Sequence, residues 1–268
     1  MADADDFLAP GSGLVVGPRA NAAAAVLDAA LDARAGALRE GQALDRSAAR
    51  APRRRVLVLA VERTDVPNLL GAARRELARS RHCVTVATRE AGSAGKFNNL
   101  DVLLAEHPAH EHDWLVVLDD DVALPPRFLD HFLVVCERFG FTLAQPAHRR
   151  RSHAAWPITR RHPDVARLTR FVEIGPVTAF HHDAFELLLP FPDLRMGWGL
   201  DAHWAAVARE NGWRVGIVDA TPIRHGVRRT ATGYRHADAI AEGRAFLERR
   251  PHLHTRELQE TLATYRSW

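Results

Sequence analysis

Three carboxylates in a row, Asp119, Asp120 and Asp121, stand between the apolar run Leu115 to Leu118 and the turn residues Pro125 and Pro126. Like charges this close repel and shift one another's pKa unless a cation lies among them. A divalent metal resolves that repulsion; an acidic turn facing water is the plain alternative. Four unbroken apolar residues with two valines fit a strand buried on both faces. Side chains alternate along a strand, so Asp119 and Asp121 should point the same way at its carboxyl end. Open α/β sheets hold their ligands at that end.

Other chemistry-bearing residues are scattered. Lys96, the one lysine of the chain, follows the flexible stretch Gly92 to Gly95 and begins a helical pattern that includes Asn99. Asp201 follows the turn MGWGL (Met196 to Leu200) and opens another helix. An Asp there is also an excellent N-cap. Trp198 offers a large apolar face that suits either a ligand ring or core packing. His181 and His182 read as structural groups rather than metal ligands. Glu173 reads as a salt-bridge partner or as a buried carboxylate. Between His148 and Arg170 lie Arg149, Arg150, Arg151, Arg160 and Arg161. They make either a solvated loop or a mobile flap that meets phosphates.

These groups must be held by a framework, and the hydrophobic pattern supplies one. Val56 to Val61 (VLVLAV) predicts a doubly buried strand, Val66 to Arg79 a helix, and Cys83 to Thr88 a second strand. A helix from Lys96 to Glu106, the acidic strand, and a helix over Arg127 to Phe139 follow. Phe141 to Ala144, Phe171 to Phe180 and Trp213 to Val218 predict further strands. Asp183 to Leu189, Asp201 to Asn211 and Asp238 to Arg249 predict helices. Strands alternating with helices imply an α/β domain with a mixed, mainly parallel central sheet flanked by helices, here over residues 53–268. Residues 1–52 differ. Asn21 to Ala49 is alanine-rich, which predicts a helical or partly disordered extension that packs on the main domain or serves as a dimer contact.

The chain has 268 residues, 47% hydrophobic and 26% charged, with a net charge of +3. That balance suits a soluble globular protein and does not suggest a nucleic-acid binder. The two cysteines, Cys83 and Cys136, lie in apolar surroundings without metal-like spacing, which points to free buried thiols in a reducing compartment. The acidic start MADADDF has no apolar run behind it, so no secretory signal is expected, and no run is long enough to span a bilayer. The expected location is cytoplasmic, with peripheral membrane attachment left open.

Taken in order, the blocks resemble the GT-A fold of nucleotide-sugar glycosyltransferases, especially the large inverting bacterial group, from Val56 to about Gly226. VLVLAV resembles the opening strand and GKFNNLDVLL (Gly95 to Leu104) the helix after the donor loop. VVLDDDV resembles the DxD strand, and VTAFHHDAFELLLPF (Val177 to Phe191) the acceptor-side strand and helix. GWGLD with ARENGWRVGIVDATPIRHG resembles the catalytic helix, last strand and trailing histidine. GWGLD and IRH are also similar to blocks of the beta-1,4-galactosyltransferases. AQPA (Ala144 to Ala147), FVE (Phe171 to Glu173) and GWGLD with GIVD are similar to a glycosyltransferase-like family from which no activity carries over.

The resemblance implies a metal-dependent transfer of sugar from a nucleoside-diphosphate sugar to an acceptor hydroxyl with inversion. It assigns Asp119 and Asp120 to the donor, Asp119 and Asp121 to the metal with His225 as a third ligand, and Asp201 as general base. It puts Lys96 and Asn99 at the donor, Trp198 and Glu173 at the acceptor. Carboxylate and imidazole ligands favour Mn2+ over Mg2+, and a UDP-sugar is the favoured donor. The chain departs from many inverting relatives in having Leu200-Asp201 where they carry a Glu-Asp pair, and Glu62 to Pro67 matches no donor-base loop. A nucleotidyltransferase of related fold would need a Gly-rich triphosphate loop after the first strand, and Glu62 to Pro67 has no glycine. A non-catalytic nucleotide- or sugar-binding module is the remaining alternative. No GxGxxG follows Val56 to Val61, which argues against a Rossmann dehydrogenase.

Overall fold

The structure, a computed structural model, describes residues 7–8, 18–226 and 235–268. It opens with α1 (Pro18–Ala37) and α2 (Glu40–Arg50), formed by the alanine-rich stretch. α2 lowers Leu44 and Ala48 into the same buried cluster as Val56 and Val58, so it shares a core with the sheet.

Next come β1 (Arg55–Glu62), α3 (Leu70–Leu77), β2 (Cys83–Glu90), α4 (Lys96–Glu106) and β3 (Trp114–Asp119). α3 starts four residues later than the apolar spacing predicts, and the Asn68 side chain accepts the Leu70 N–H at 3.2 Å just ahead of it. The chain continues with β4 (Val122–Ala123), α5 (Phe128–Arg138), β5 (Leu143–His148), β6 (Ala166–Thr169) and β7 (Val177–His181). It ends with α6 (Phe185–Leu188), α7 (Leu200–Glu210), β8 (Val215–His225), α8 (His236–Leu247), α9 (Thr255–Leu258) and β9 (Thr261–Tyr265).

Among the described residues the strands form one nine-stranded sheet in the order β2-β1-β3-β7-β5-β8-β6-β9, with β4 on β8. β1, β2, β3, β5, β8 and β9 point one way, and β4, β6 and β7 run against them. Alternation along β1 sends Leu57 and Leu59 into one cluster with Phe97 and Trp204. Val56, Val58 and Ala60 enter the opposite cluster, with Phe132 and Leu133. Helices therefore cover both faces, and the architecture is the α/β one expected.

Several expectations need correction. β7 begins at Val177, not Phe171, and the lead-out after Val218 is the second half of one strand, β8. The patterning had not anticipated β4, β6 or β9; two residues of β4 and four of β6 are too few to show a period. β6 is pinned to β8 by a buried ion pair, with Arg167 Nε donating to Asp219 Oδ2 at 2.8 Å. Cys136 is buried, but Cys83 is exposed because β2 is the edge strand.

The arginine-rich segment is neither a solvated loop nor a free flap. Asp28 of α1 accepts the N–H groups of Arg150 and Arg151 at 2.8 and 2.9 Å. Asp32 pairs with Arg161 at 2.6 Å and with Arg149. The Arg160 guanidinium donates to the carbonyls of Arg149, Arg150 and Ser152. The segment is thus the seat of α1. Among the described residues no helix is long and apolar enough to cross a membrane.

Candidate active site

The site forms at the carboxyl ends of β1, β3 and β8, where the chain leaves the sheet. β3 ends on Asp119, and β4 then pairs antiparallel with the end of β8, setting Val122 opposite His225. This register carries Asp121 to His225: Oδ1 and Nε2 are 3.0 Å apart, and both residues are buried. Burial opposes charge on the His225 ring, yet the Asp121 hydrogen bond and charge, with Asp119 and Glu173 farther off, raise its pKa above the ordinary 6.5.

Each carboxylate of the triplet finds its own partner among the protein's groups. Asp119 Oδ1 meets Lys96 Nζ at 2.6 Å, and Lys96 also donates to the Ile174 carbonyl at 3.0 Å. Asp120 accepts the Arg63 N–H at 2.7 Å, while its carbonyl accepts from Leu69 N at 2.6 Å. The strand end therefore also shapes the loop after β1. Asp121 has His225.

Asp201 lies in the first turn of α7 and is 7% exposed. Burial, with Glu173 adding repulsion, pushes its carboxyl from 3.8 up to about 7, against the Ala202 N–H that favours the charged form. The turn before it depends on Gly197, whose φ of 78° suits glycine and whose added Cβ would lie 2.1 Å from the Phe97 ring. That turn is clamped from α8: Glu242 accepts the N–H groups of Arg195, Met196 and Gly197 at 2.8, 2.9 and 2.9 Å. Trp198 is half-buried against the core, its ring 5.5 Å from that of His236.

Two assignments change. Glu173 is not presented to an acceptor: its carboxylate accepts from Trp156 N and Thr159 Oγ1 and meets His148 Nε2 at 3.0 Å. Its charge still reaches both Asp201 and His225. Asn99 is also turned inward. Its amide donates to the carbonyls of Ala91, Ala94 and Gly95 and accepts from Arg89, so it shapes the loop before Lys96 rather than facing a donor.

His181 and His182 are not at this end of the sheet. β7 runs against β3 and sets His181 opposite Trp114, at the far end from Asp119. There His181, His182 and Asp183 bring ligand atoms within 4.8 Å of one another.

Three contributors were not foreseen. Ser152 Oγ accepts the His225 N–H at 2.8 Å and contacts the His225 carbonyl at 3.1 Å. Gly175 lets Asp119 and Lys96 meet, since a Cβ there would lie 2.8 Å from Asp119 Oδ2 and 3.0 Å from Lys96 Nζ. Glu242 has no local signature. Of these only the Gly175-Pro176 dipeptide carries a sequence signal, that of a turn.

The donor set fits a divalent ion. A carboxylate oxygen and an imidazole nitrogen 3.0 Å apart have the spacing of neighbouring ligands that each lie about 2.1 Å from one ion. Asp121 and His225 would hold it; Asp119, the third ligand expected, is turned to Lys96 and does not come within the same ligand spacing of both.

No family model matches the chain, and no curated protein matches it. Solved structures with a similar chain path include A197 from STIV, at 11% identity and a TM-score of 0.43, covering 65% of this chain and 86% of that one. Another is GalNAc-T7 with UDP, GalNAc and Mn2+, at 11% identity and 0.43, covering 68% of this chain and 44% of that one. A third is S. aureus TarS 1-349 in complex with UDP-GlcNAc, at 12% identity and 0.45, covering 68% of this chain and 61% of that one. The chain thus spans less than two thirds of the GalNAc-T7 and TarS chains.

Proposed function

We propose that this chain is a GT-A-type, metal-dependent glycosyltransferase that moves a sugar from a nucleoside-diphosphate donor to an acceptor hydroxyl with inversion. One observation carries the reading. The β4–β8 register seats Asp121 against His225 at the end of the sheet where β3 delivers Asp119 to Lys96, a grouping of carboxylates, imidazole and ammonium suited to a metal-bound diphosphate. The order of the sequence blocks supports the same assignment.

When bound, the ion supplies positive charge to the diphosphate that leaves at the transition state. Mixed carboxylate and imidazole donors favour manganese over magnesium. Lys96, held 2.6 Å from Asp119 at the start of α4, adds a second positive charge beside the phosphates. Asp201 takes the proton from the acceptor hydroxyl as that oxygen bonds to the anomeric carbon. The bond from that carbon to the diphosphate oxygen breaks with its electron pair leaving on the diphosphate. A carboxyl near 7 suits this work, because a base is most effective when its pKa lies near the operating pH. Trp198, beside Asp201, offers its half-buried face to the acceptor. UDP is the favoured carrier.

The test is thermal stabilisation by a panel of nucleoside diphosphates and their sugars, with and without Mn2+. One diphosphate should stabilise strongly, only with metal, and no longer in Asp121→Asn. At a concentration of about 100 Kd the expected gain is about 2.7 kcal/mol. Indifference to every nucleotide would sink the reading, and a product that keeps the donor's anomeric configuration would sink inversion.

A further inference from the structure

We propose that Asp28, on the amino-terminal helix, is a positioning residue for the metal ligand His225. The inference rests on the reading of His225 as a ligand. Asp28 is 6% exposed, and its two carboxylate oxygens accept the consecutive N–H groups of Arg150 and Arg151. Two successive amides aimed at one anion form a rigid concave unit. The next residue is Ser152, itself buried, whose hydroxyl holds both backbone polar groups of His225. His153 adds its own N–H to the His225 carbonyl at 2.7 Å. On the other side, Arg149 N donates to Ile223 O at 2.9 Å. The segment 149–153 is therefore held by α1 from outside and grips the last turn of backbone at the end of β8 from inside.

His225 is the final residue of β8, and its N–H donates to the Ser152 hydroxyl at 2.8 Å. β4 sets Val122 opposite it within the sheet, and Ser152 and His153 hold its backbone by a second clamp from outside the sheet. The clamp in turn has Asp28 as its anchor across the packing interface. Groups that orient a metal ligand from behind change metal affinity by about 10–100-fold when removed. Asp28 touches neither the ion nor a substrate; it acts through Ser152.

The experiment uses the full chain and two readouts: amide hydrogen exchange without metal, and Mn2+ affinity by electron paramagnetic resonance of the free ion. In Asp28→Ala, exchange at Arg150, Arg151 and His225 should speed up, and Mn2+ affinity should fall about tenfold. Ser152→Ala should match it at His225. Asp28→Asn, which keeps the shape and one acceptor oxygen, should fall between wild type and Asp28→Ala, and serves if the alanine variant does not fold. Wild-type exchange at His225 in the Asp28 variants overturns the proposal. So does faster exchange with Mn2+ affinity unchanged from a wild type that binds the ion. A wild type that binds no Mn2+, or an Asp121→Asn variant that binds it equally, overturns the metal reading instead. In that case exchange at His225 alone judges whether α1 holds it.

Discussion

Replacing Asp201 by asparagine removes a charge from a buried position while keeping its shape, and the consequence for stability can be worked out. The Asp201 carboxyl moves from 3.8 to about 7 on folding, mainly through burial. The folded pKa lies above the unfolded one, so the fold favours the protonated form. The associated stability is fully present below 3.8 and is lost as pH rises through about 7. At about 1.4 kcal/mol for each unit, the loss amounts to about 4 kcal/mol. Asparagine copies the neutral form at every pH. The stability of Asp201→Asn minus that of wild type should therefore grow by about 4 kcal/mol between pH values near 4 and near 8. Any fixed offset from the amide's own packing cancels in that difference. Urea unfolding of the metal-free protein, followed by tryptophan fluorescence across this range, measures it. A difference that stays flat to within about 1 kcal/mol would refute the argument that burial holds this carboxyl neutral. The same variant should keep metal-dependent nucleotide binding while losing about 10²–10⁴-fold in transfer rate.

Other outcomes follow from the neighbouring groups. The raised pKa of His225 means that ligation must displace a proton, so Mn2+ affinity should fall about tenfold for each pH unit below that pKa; a flat titration contradicts the ligand role. Without metal the sign is that of any raised histidine: the His225–Asp121 pair stabilises the fold below 6.5, and this is lost as pH rises through the raised value. Gly175→Ala places a methyl against Asp119 and Lys96, so nucleotide affinity should drop with little change in the unfolding midpoint, as calorimetry and thermal melts will show. Glu242→Ala strips the acceptor from three N–H groups of the turn before Asp201; a loss of about 2 kcal/mol, or about 5 °C in Tm, is expected by thermal melt.

How much of this could be read in advance depended on the range of the interaction. The acidic strand was legible because an apolar run and the charges after it are neighbours in the chain. α4 was found with its bounds at Lys96 and Glu106, since the Gly-rich loop before it and His107-Pro108 after it punctuate a helical pattern locally. β6 was hidden, since its short run ARLT includes Arg167, whose charge is neutralised only by Asp219 on another strand. The arginines from 149 to 161 looked like a solvated or phosphate-seeking segment because their partners, Asp28 and Asp32, lie more than a hundred positions earlier. Glu173 and Asn99 were identified as polar residues of interest, but composition does not say whether an oxygen faces a cavity or a backbone amide.

The residue sequence by itself determined the inventory: which acids, which imidazole and which lysine exist, and which lie at the ends of strands. Those properties follow from local apolar periodicity, which burial enforces within a few residues. Only the tertiary structure decided who meets whom. A two-residue strand, β4, laid against the end of β8 brings Asp121 to His225, and the enclosure of Asp201 moves its carboxyl to about 7. Register and local dielectric arise from packing between distant segments, and no window of the chain encodes them alone.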